Sequence, residues 1–293
     1  MRVRRILVAL DGSRLAEAVL PAARSLAQHL PATLLLVHVL EREPPEDVHG
    51  QPHLGDARAA TEYLEHHAFE LRRQRIDVEA HVHERAVGDV AAALDRHAHE
   101  LDADLIAMCA HGRTNFRDRA MGTIAEQILR GGSIPILLRT VRRVQETTFD
   151  LRHVLVPLDF GHDVETALAA ARTFARPYGA TIDLLTAVEP QPAATRRLLP
   201  SSSALAQQYD RADATRRLDE LSGLLEAEQF SVRTLVDERE PPDAIASVSN
   251  SLPADLIVLI TDAHGGLASW YDPSTGQRLL AMPDLTLLLI KEL

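Results

Sequence analysis

A four-residue pattern occurs twice in this chain, and the distance between its copies limits the folds the chain can take. Val8-Ala9-Leu10-Asp11 returns as Val156-Pro157-Leu158-Asp159 at an offset of 148 residues. Ala103-Asp104-Leu105-Ile106 returns as Ala254-Asp255-Leu256-Ile257 at an offset of 151. Such a period marks a duplicated domain, since solenoid repeats run to roughly 20–50 residues. The length of 293 residues suits two domains of ordinary size, each able to bury its own core. Residues 1–140 are read as the first domain and 151–293 as the second. The polar stretch Thr140–Asp150, with Arg142-Arg143, is read as the linker.

Within each copy, short apolar runs alternate with segments of helical period, which predicts βαβ units around a parallel sheet. In the first copy the strand runs are Ile6–Leu10, Leu34–Val39, Val78–Val82, Leu105–Ala110 and Ile134–Leu138. Ser13 is placed to cap a helix with Leu15, Val19, Ala22, Leu26 and Leu30 on one face. Pro21 inside that helix is expected to kink it or shift its start. Val78, Ala80 and Val82 alternate with Glu79, His81 and His83, a strand with one wet face and hence near an edge. Further helices are expected at about 57–75, 88–100 and 122–130. The second copy predicts strands at 153–158, 181–188, 231–237, 256–260 and 285–290, with helices at about 164–176, 203–228 and after Pro241-Pro242. The fold class is α/β: two doubly wound five-stranded parallel sheets of order 3-2-1-4-5. Ligands of such sheets bind at the carboxyl ends of the strands, where the strand order reverses. Asp11 and the residues after Ala110 converge there from about 100 positions apart in sequence.

The segment after Leu105–Ala110 is the most informative for function. Cys109, Ala110, His111, Gly112 and Arg113 lead into a polar loop with Arg117 and Arg119, and Gly122-Thr123-Ile124 open a helix. Backbone N–H groups and the positive end of a helix dipole can hold a phosphate there, with glycine allowing close approach. The spacing of nine residues between Gly112 and Gly122 resembles the nucleotide loop of the universal stress protein family, Gly-x2-Gly-x9-Gly-Ser/Thr, with Cys109 in place of the first glycine. The opening strand ending in Asp11-Gly12-Ser13, the strand Leu34–Val39, Ala103-Asp104-Leu105-Ile106 and Ile134–Leu138 resemble that family's other landmarks in order. The whole chain thus resembles a tandem universal stress protein. The resemblance implies that the first copy binds ATP, ADP or AMP, with Mg2+ as an optional companion. Ala9, Leu10, Asp11, Val39, Cys109, His111, Gly112, Arg113, Gly122, Thr123 and Ile124 would line its site. It further implies dimerisation through the fifth strand. Ile134–Leu138 would then lie against Leu285–Ile290 in an internal pseudo-dimer, and a homodimer of whole chains stays open.

The second copy departs from the pattern. Asp159 persists, but Asp262-Ala263-His264-Gly265-Gly266 precedes a bulky stretch containing Trp270. Thr275-Gly276 then stands in reversed order, which predicts a weak or silent site.

Other classes fare worse. A net charge of −11 argues against a general nucleic-acid or anionic-membrane binder. Lys291 is the sole lysine, so a P-loop lysine or Schiff base is nearly excluded. The single cysteine suits a reducing cytoplasm, and the apolar runs are strand-sized, so neither leader nor membrane span is expected. Cys109 reads either as a small buried hydrophobe or as a thiol activated by a helix N-terminus. His81/His83 and His97/His99 come without cysteine or acid at zinc spacing, so no structural metal is expected. The expected function is therefore a nucleotide-dependent regulator or sensor in stress response, not an enzyme. A scaffold with decayed sites is the alternative, and an adenylating enzyme of the wider adenine-nucleotide α-hydrolase group the third reading.

Overall fold

The computed structural model describes residues 1–42, 47–48, 51–52, 54–111, 123–141, 148–160, 163–188, 211–252, 254–261, 278–279, 282 and 284–291. The first repeat runs β1 (Arg5–Ala9), α1 (Arg14–Glu17), α2 (Leu20–His29), β2 (Thr33–Glu41), a small hairpin of β3 (Asp47–Val48) and β4 (Gln51–Pro52), α3 (Ala57–Arg73), β5 (Val78–Val87), α4 (Val90–Glu100), β6 (Leu105–His111), α5 (Thr123–Gly131) and β7 (Ile136–Val141). The second runs β8 (His153–Pro157), α6 (Val164–Tyr178), β9 (Thr181–Ala187), α7 (Arg211–Ala227), β10 (Val232–Asp237), α8 (Pro241–Ser251), β11 (Leu256–Thr261) and β12 (Thr286–Lys291).

Each repeat has the expected strand order, and the two sheets join into one of ten strands, β10-β9-β8-β11-β12-β7-β6-β1-β2-β5. All pairings in it are parallel except the seam, where β7 and β12 run antiparallel with Leu138 opposite Leu287 and Leu137 opposite Leu288. The expected internal pseudo-dimer therefore forms through these two strands. Pro135 lies just before β7 and not within it; its carbonyl accepts from Ile106 N–H at 3.0 Å. Thr140 knots the seam from inside. Its hydroxyl donates to Met282 O at 2.7 Å and accepts from Leu285 N–H at 3.0 Å. Lys291 Nζ donates to Arg130 O and Gly132 O at 3.3 and 3.4 Å, so the chain's sole lysine caps the end of α5 across the same seam.

Both faces of the sheet are covered, which is why runs such as Leu34-Leu35-Leu36-Val37 carry no polar residue and are fully buried. One core, under α2, α3, α6 and α7, is continuous from Ile6 and Leu36 to Phe174 and Leu225. The other, under α4, α5 and α8, runs from Leu7 and Leu35 to Ile257 and Leu287. Pro21 does shift the helix start. A first turn capped by Ser13 ends at Glu17, and α2 begins at Leu20 with Pro21 in its first turn, where the missing N–H costs nothing. Helix α4 starts at Val90 instead of residue 88 because Asp89 caps it, accepting from Ala92 N–H at 2.9 Å.

The repeated Ala-Asp-Leu-Ile pattern has a structural cause. Asp104 Oδ2 accepts from the backbone N–H groups of Arg4 and Arg5 at 2.7 and 3.0 Å, and Asp255 Oδ2 does the same for Arg152 and His153 at 2.8 and 2.9 Å. Each aspartate thus ties down the amino end of its repeat's first strand.

Candidate functional site

The strand order reverses between β1 and β6, and the carboxyl ends of these strands open the crevice of the first repeat. Asp11 follows β1. Its Oδ1 accepts from Ser13 N–H at 2.8 Å, Gly12 turns the chain at φ 89°, and Ser13 Oγ accepts from Ala16 N–H at 3.1 Å. The Asp-Gly-Ser sequence thus fixes a tight turn and a helix start together, holding Asp11 half-exposed at the mouth. Ala9 and Leu10 lie below it, with Leu10 N–H donating to Val37 O at 3.0 Å, and Val39 is buried in β2.

Cys109 closes the floor on β6. Burial pushes its thiol up to about 12, with Asp11 acting in the same direction and Arg139 against it. The thiol is protonated at neutral pH, so the reading as a small hydrophobe stands over that of an activated nucleophile. His111 and Thr123 end β6 and begin α5, while Ile124 packs toward the second core. Gly112, Arg113, Arg117, Arg119 and Gly122, the centre of the expected phosphate loop, lie outside the described residues.

Four further side chains lie around this end of the first repeat: Arg139, Tyr63, His67 and His38. Arg139 on β7 reaches the crevice floor beside Cys109. Tyr63 on α3 lies against the carboxylates of Glu17 and Asp11; burial first, then these two charges, raise its phenol. His67 Nε2 meets Glu17 Oε1 at 3.3 Å, and that hydrogen bond holds Glu17 below the usual carboxylate range against the opposing effect of burial. The fourth is His38 on β2. It is 1% exposed, with Nδ1 2.8 Å from Leu10 O and Nε2 3.1 Å from Leu54 O. None of these contacts has a local sequence signature, because each joins elements distant along the chain.

The second repeat fills the same place differently. Asp159 matches Asp11, but Phe160 stands where Gly12 is, and the Arg217 guanidinium lies over its ring at 5.2 Å. Thr186 stands at the His38 position, donating to Leu158 O at 3.2 Å. The sequence carried this signal in the 148-residue offset, which aligns Gly12 with Phe160. Residues 262–277, with Gly265 and Trp270, lie outside the described residues.

Away from the crevice, at the amino ends of the strands, Asp183 is 1% exposed and accepts from Arg233 Nε at 2.7 Å, with His153 Nδ1 at 3.0 Å. In the first repeat Arg5 and Glu79 make the matching pair at 3.3 Å across Leu35. His83 Nδ1 meets His97 Nε2 at 2.8 Å, a contact the separate sequence pairs did not suggest. Among the described residues no group of three His, Cys, Asp or Glu side chains is arranged to hold a metal, and no helix is long and apolar enough to cross a membrane.

Fold and crevice define the class: a tandem of doubly wound α/β domains joined edge to edge, with a polar crevice at the switch point of the first. The universal stress protein family model matches residues 2–139 and again 150–291, and the chain belongs to that family. Among solved structures, it is similar to a universal stress protein from Archaeoglobus fulgidus DSM 4304, 18% identical, with 99% of each chain covered and a TM-score of 0.76. A protein of unknown function from Pseudomonas aeruginosa PAO1 is 18% identical, with 99% of this chain and 92% of that one covered and a TM-score of 0.64. A universal stress protein from A. fulgidus in complex with dAMP is 24% identical over 47% of this chain and 98% of that one, with a TM-score of 0.35. No curated protein matches the sequence.

Proposed function

We propose that the first repeat binds one adenine nucleotide, and that the protein acts as a nucleotide-dependent regulator or sensor in a stress response. The observation that carries this reading is the Asp11 carboxylate, held half-exposed by the Asp11–Ser13 turn at the carboxyl end of β1, beside the strand-order reversal. There it can accept hydrogen bonds from ribose hydroxyls. Gly112, Gly122 and Thr123 would meet the phosphates, as the family resemblance implies, with ATP, ADP or AMP as ligand. The second repeat is weak or silent, because its loop sequence departs from the glycine pattern of the first and Phe160, under the Arg217 guanidinium, stands where the first repeat has Gly12. We infer a binding role without turnover: the one lysine is committed to the seam, and the Cys109 thiol is held neutral. The compartment that suits this role is the cytoplasm.

Calorimetric titration with ATP tests the reading. Asp11→Ala should weaken binding about tenfold or more, the loss of roughly 1.4 kcal/mol in charged hydrogen bonds. Asp159→Ala should leave affinity and stoichiometry unchanged. Equal losses in both variants, or none in Asp11→Ala, would refute the placement.

A further inference from the structure

A groove of about 560 Å³ lies between the two repeats near the amino ends of β1 and β2, at the opposite end of the sheet from the first crevice. Four guanidiniums line it: Arg2 and Arg4, on the segment entering β1, and Arg172 and Arg176, on α6. Thr173 Oγ1 lies 3.0 Å from Met1 O, where the two sides touch. The two pairs of arginines are held differently. Glu228 meets Arg172 Nε at 3.1 and 3.0 Å, Glu165 meets its other arm at 2.9 Å, and Arg176 lies over the Phe230 ring at 4.2 Å. The Asp104 carboxylate accepts from the backbone N–H groups of Arg4 and Arg5. Among the described residues no carboxylate pairs with the side chain of Arg2 or Arg4. An arginine in the last turn of α6 is ordinary, since it faces the negative end of the helix dipole. That explanation does not extend to Arg2 and Arg4, which precede a strand.

The pseudo-two-fold mate of this groove is closed. The offset of 148 residues holds for the strands beside it, since Arg5 pairs with Thr33 as His153 pairs with Thr181. Under that offset Arg2 corresponds to Asp150, Leu30 to Tyr178 and Gln28 to Arg176. Tyr178 stacks on His29 with ring centres 3.8 Å apart and meets Ser25 Oγ at 3.0 Å, while Asp150 takes Arg152 Nε at 2.7 Å. An aromatic ring fills the mate and a carboxylate neutralises its arginine. Beside Leu30 both the space and the charge are kept.

We propose that this groove is an anion site joining the two repeats, and that its ligand is a small inorganic polyphosphate, pyrophosphate or longer. Guanidinium forks match phosphate oxygens two at a time, and arginines converging from two sides suit an anion with more than one charged group. Arg172 and Arg176 are held in place in advance, so little ordering is lost on that side. No aromatic face lines the groove for a base to stack on, which separates this ligand from a nucleotide. The net charge of −11 repels nucleic acid and anionic membrane at long range, but a small anion needs only the local field. The site is independent of the nucleotide reading of the first crevice.

Calorimetric titration of the intact chain with inorganic tripolyphosphate tests this. Binding should weaken as salt rises. Arg2→Gln/Arg4→Gln should weaken it about tenfold or more with the urea midpoint unchanged, because both side chains are exposed and unpaired. Arg176→Gln, which alters the other side of the groove, should weaken it by a similar factor. Arg152→Gln, in the closed mate, should leave it unchanged. Undiminished affinity in the double variant would place the anion elsewhere and overturn the proposal. Sulfate binding as tightly at matched ionic strength would reduce the groove to an unselective charge patch and overturn it as well. So would the absence of binding at millimolar tripolyphosphate.

Discussion

Replacing Thr140 by valine tests the seam with the least change in shape. The side chain is fully buried and nearly isosteric with valine, so packing against β12 is retained while the hydroxyl is lost. That hydroxyl serves two backbone groups of the other repeat, donating to Met282 O and accepting from Leu285 N–H. The ladder bond from Thr140 N–H to Leu285 O at 2.8 Å survives. Each buried group left without a partner costs about 1–3 kcal/mol, which gives roughly 2–4 kcal/mol for the pair after partial relaxation. Thr140→Ser keeps the hydroxyl and loses one methyl, about 1 kcal/mol. In urea, with a slope of about 3 kcal/mol/M for a unit of this size, the valine variant should lose about 1 M in midpoint and the serine variant about a third of that. Both repeats should unfold together in each protein, since the sheet and both cores run through the seam. A valine variant no less stable than the serine variant would refute the role assigned to the hydroxyl. Separate unfolding of the two repeats in wild type would refute the seam as a shared core.

Other outcomes follow from particular side chains. Asp183→Asn removes the charge that Arg233 and His153 share in a buried setting and should cost about 3 kcal/mol in urea denaturation, against little for an exposed pair such as Arg58–Glu62. His97 is held below the ordinary histidine value, by burial first and then by His83. Its stabilising contribution is therefore present above the histidine range and is lost as pH falls through it. Between about pH 7.5 and about pH 5.5 the wild type should lose more urea midpoint than His97→Gln, and equal losses would contradict this. Cys109 should resist iodoacetamide in the native protein at neutral pH and react on unfolding, as mass spectrometry would show; rapid native labelling would mean that the floor of the crevice is open.

The fold was legible in the sequence wherever its cause is local or periodic. The Ser13 cap, the Pro21 helix start, the one-sided pattern of β5 and the fully apolar β2 each follow from a few neighbouring residues. The seam between β7 and β12 was expected only from the family resemblance, since the repeat shows two copies and not how they pack. The crevice was legible only in part. Asp11 and Cys109 sit on strand ends that the topology must bring together, so they could be placed in advance. Arg139, Tyr63 and His38 reach the site from β7, α3 and β2, and their roles arise from tertiary contacts that leave no local pattern. His38 in particular reads as an interruption of an apolar strand. Its two carbonyl partners, at positions 10 and 54, appear only once β1, β2 and the segment at Leu54 are packed. Phe160 shows the converse: the offset between repeats aligned it with Gly12, yet its consequence for the second crevice became visible only with Arg217 stacked upon it.

The proposed function requires one adenine-nucleotide site per chain, in the first repeat. Equilibrium dialysis of the intact protein against radiolabelled ATP, ADP and AMP measures it most directly. Saturation is expected near one nucleotide per chain, reduced by Asp11→Ala and unaffected by Asp159→Ala. Saturation near two, or no bound nucleotide at millimolar ligand, would contradict it.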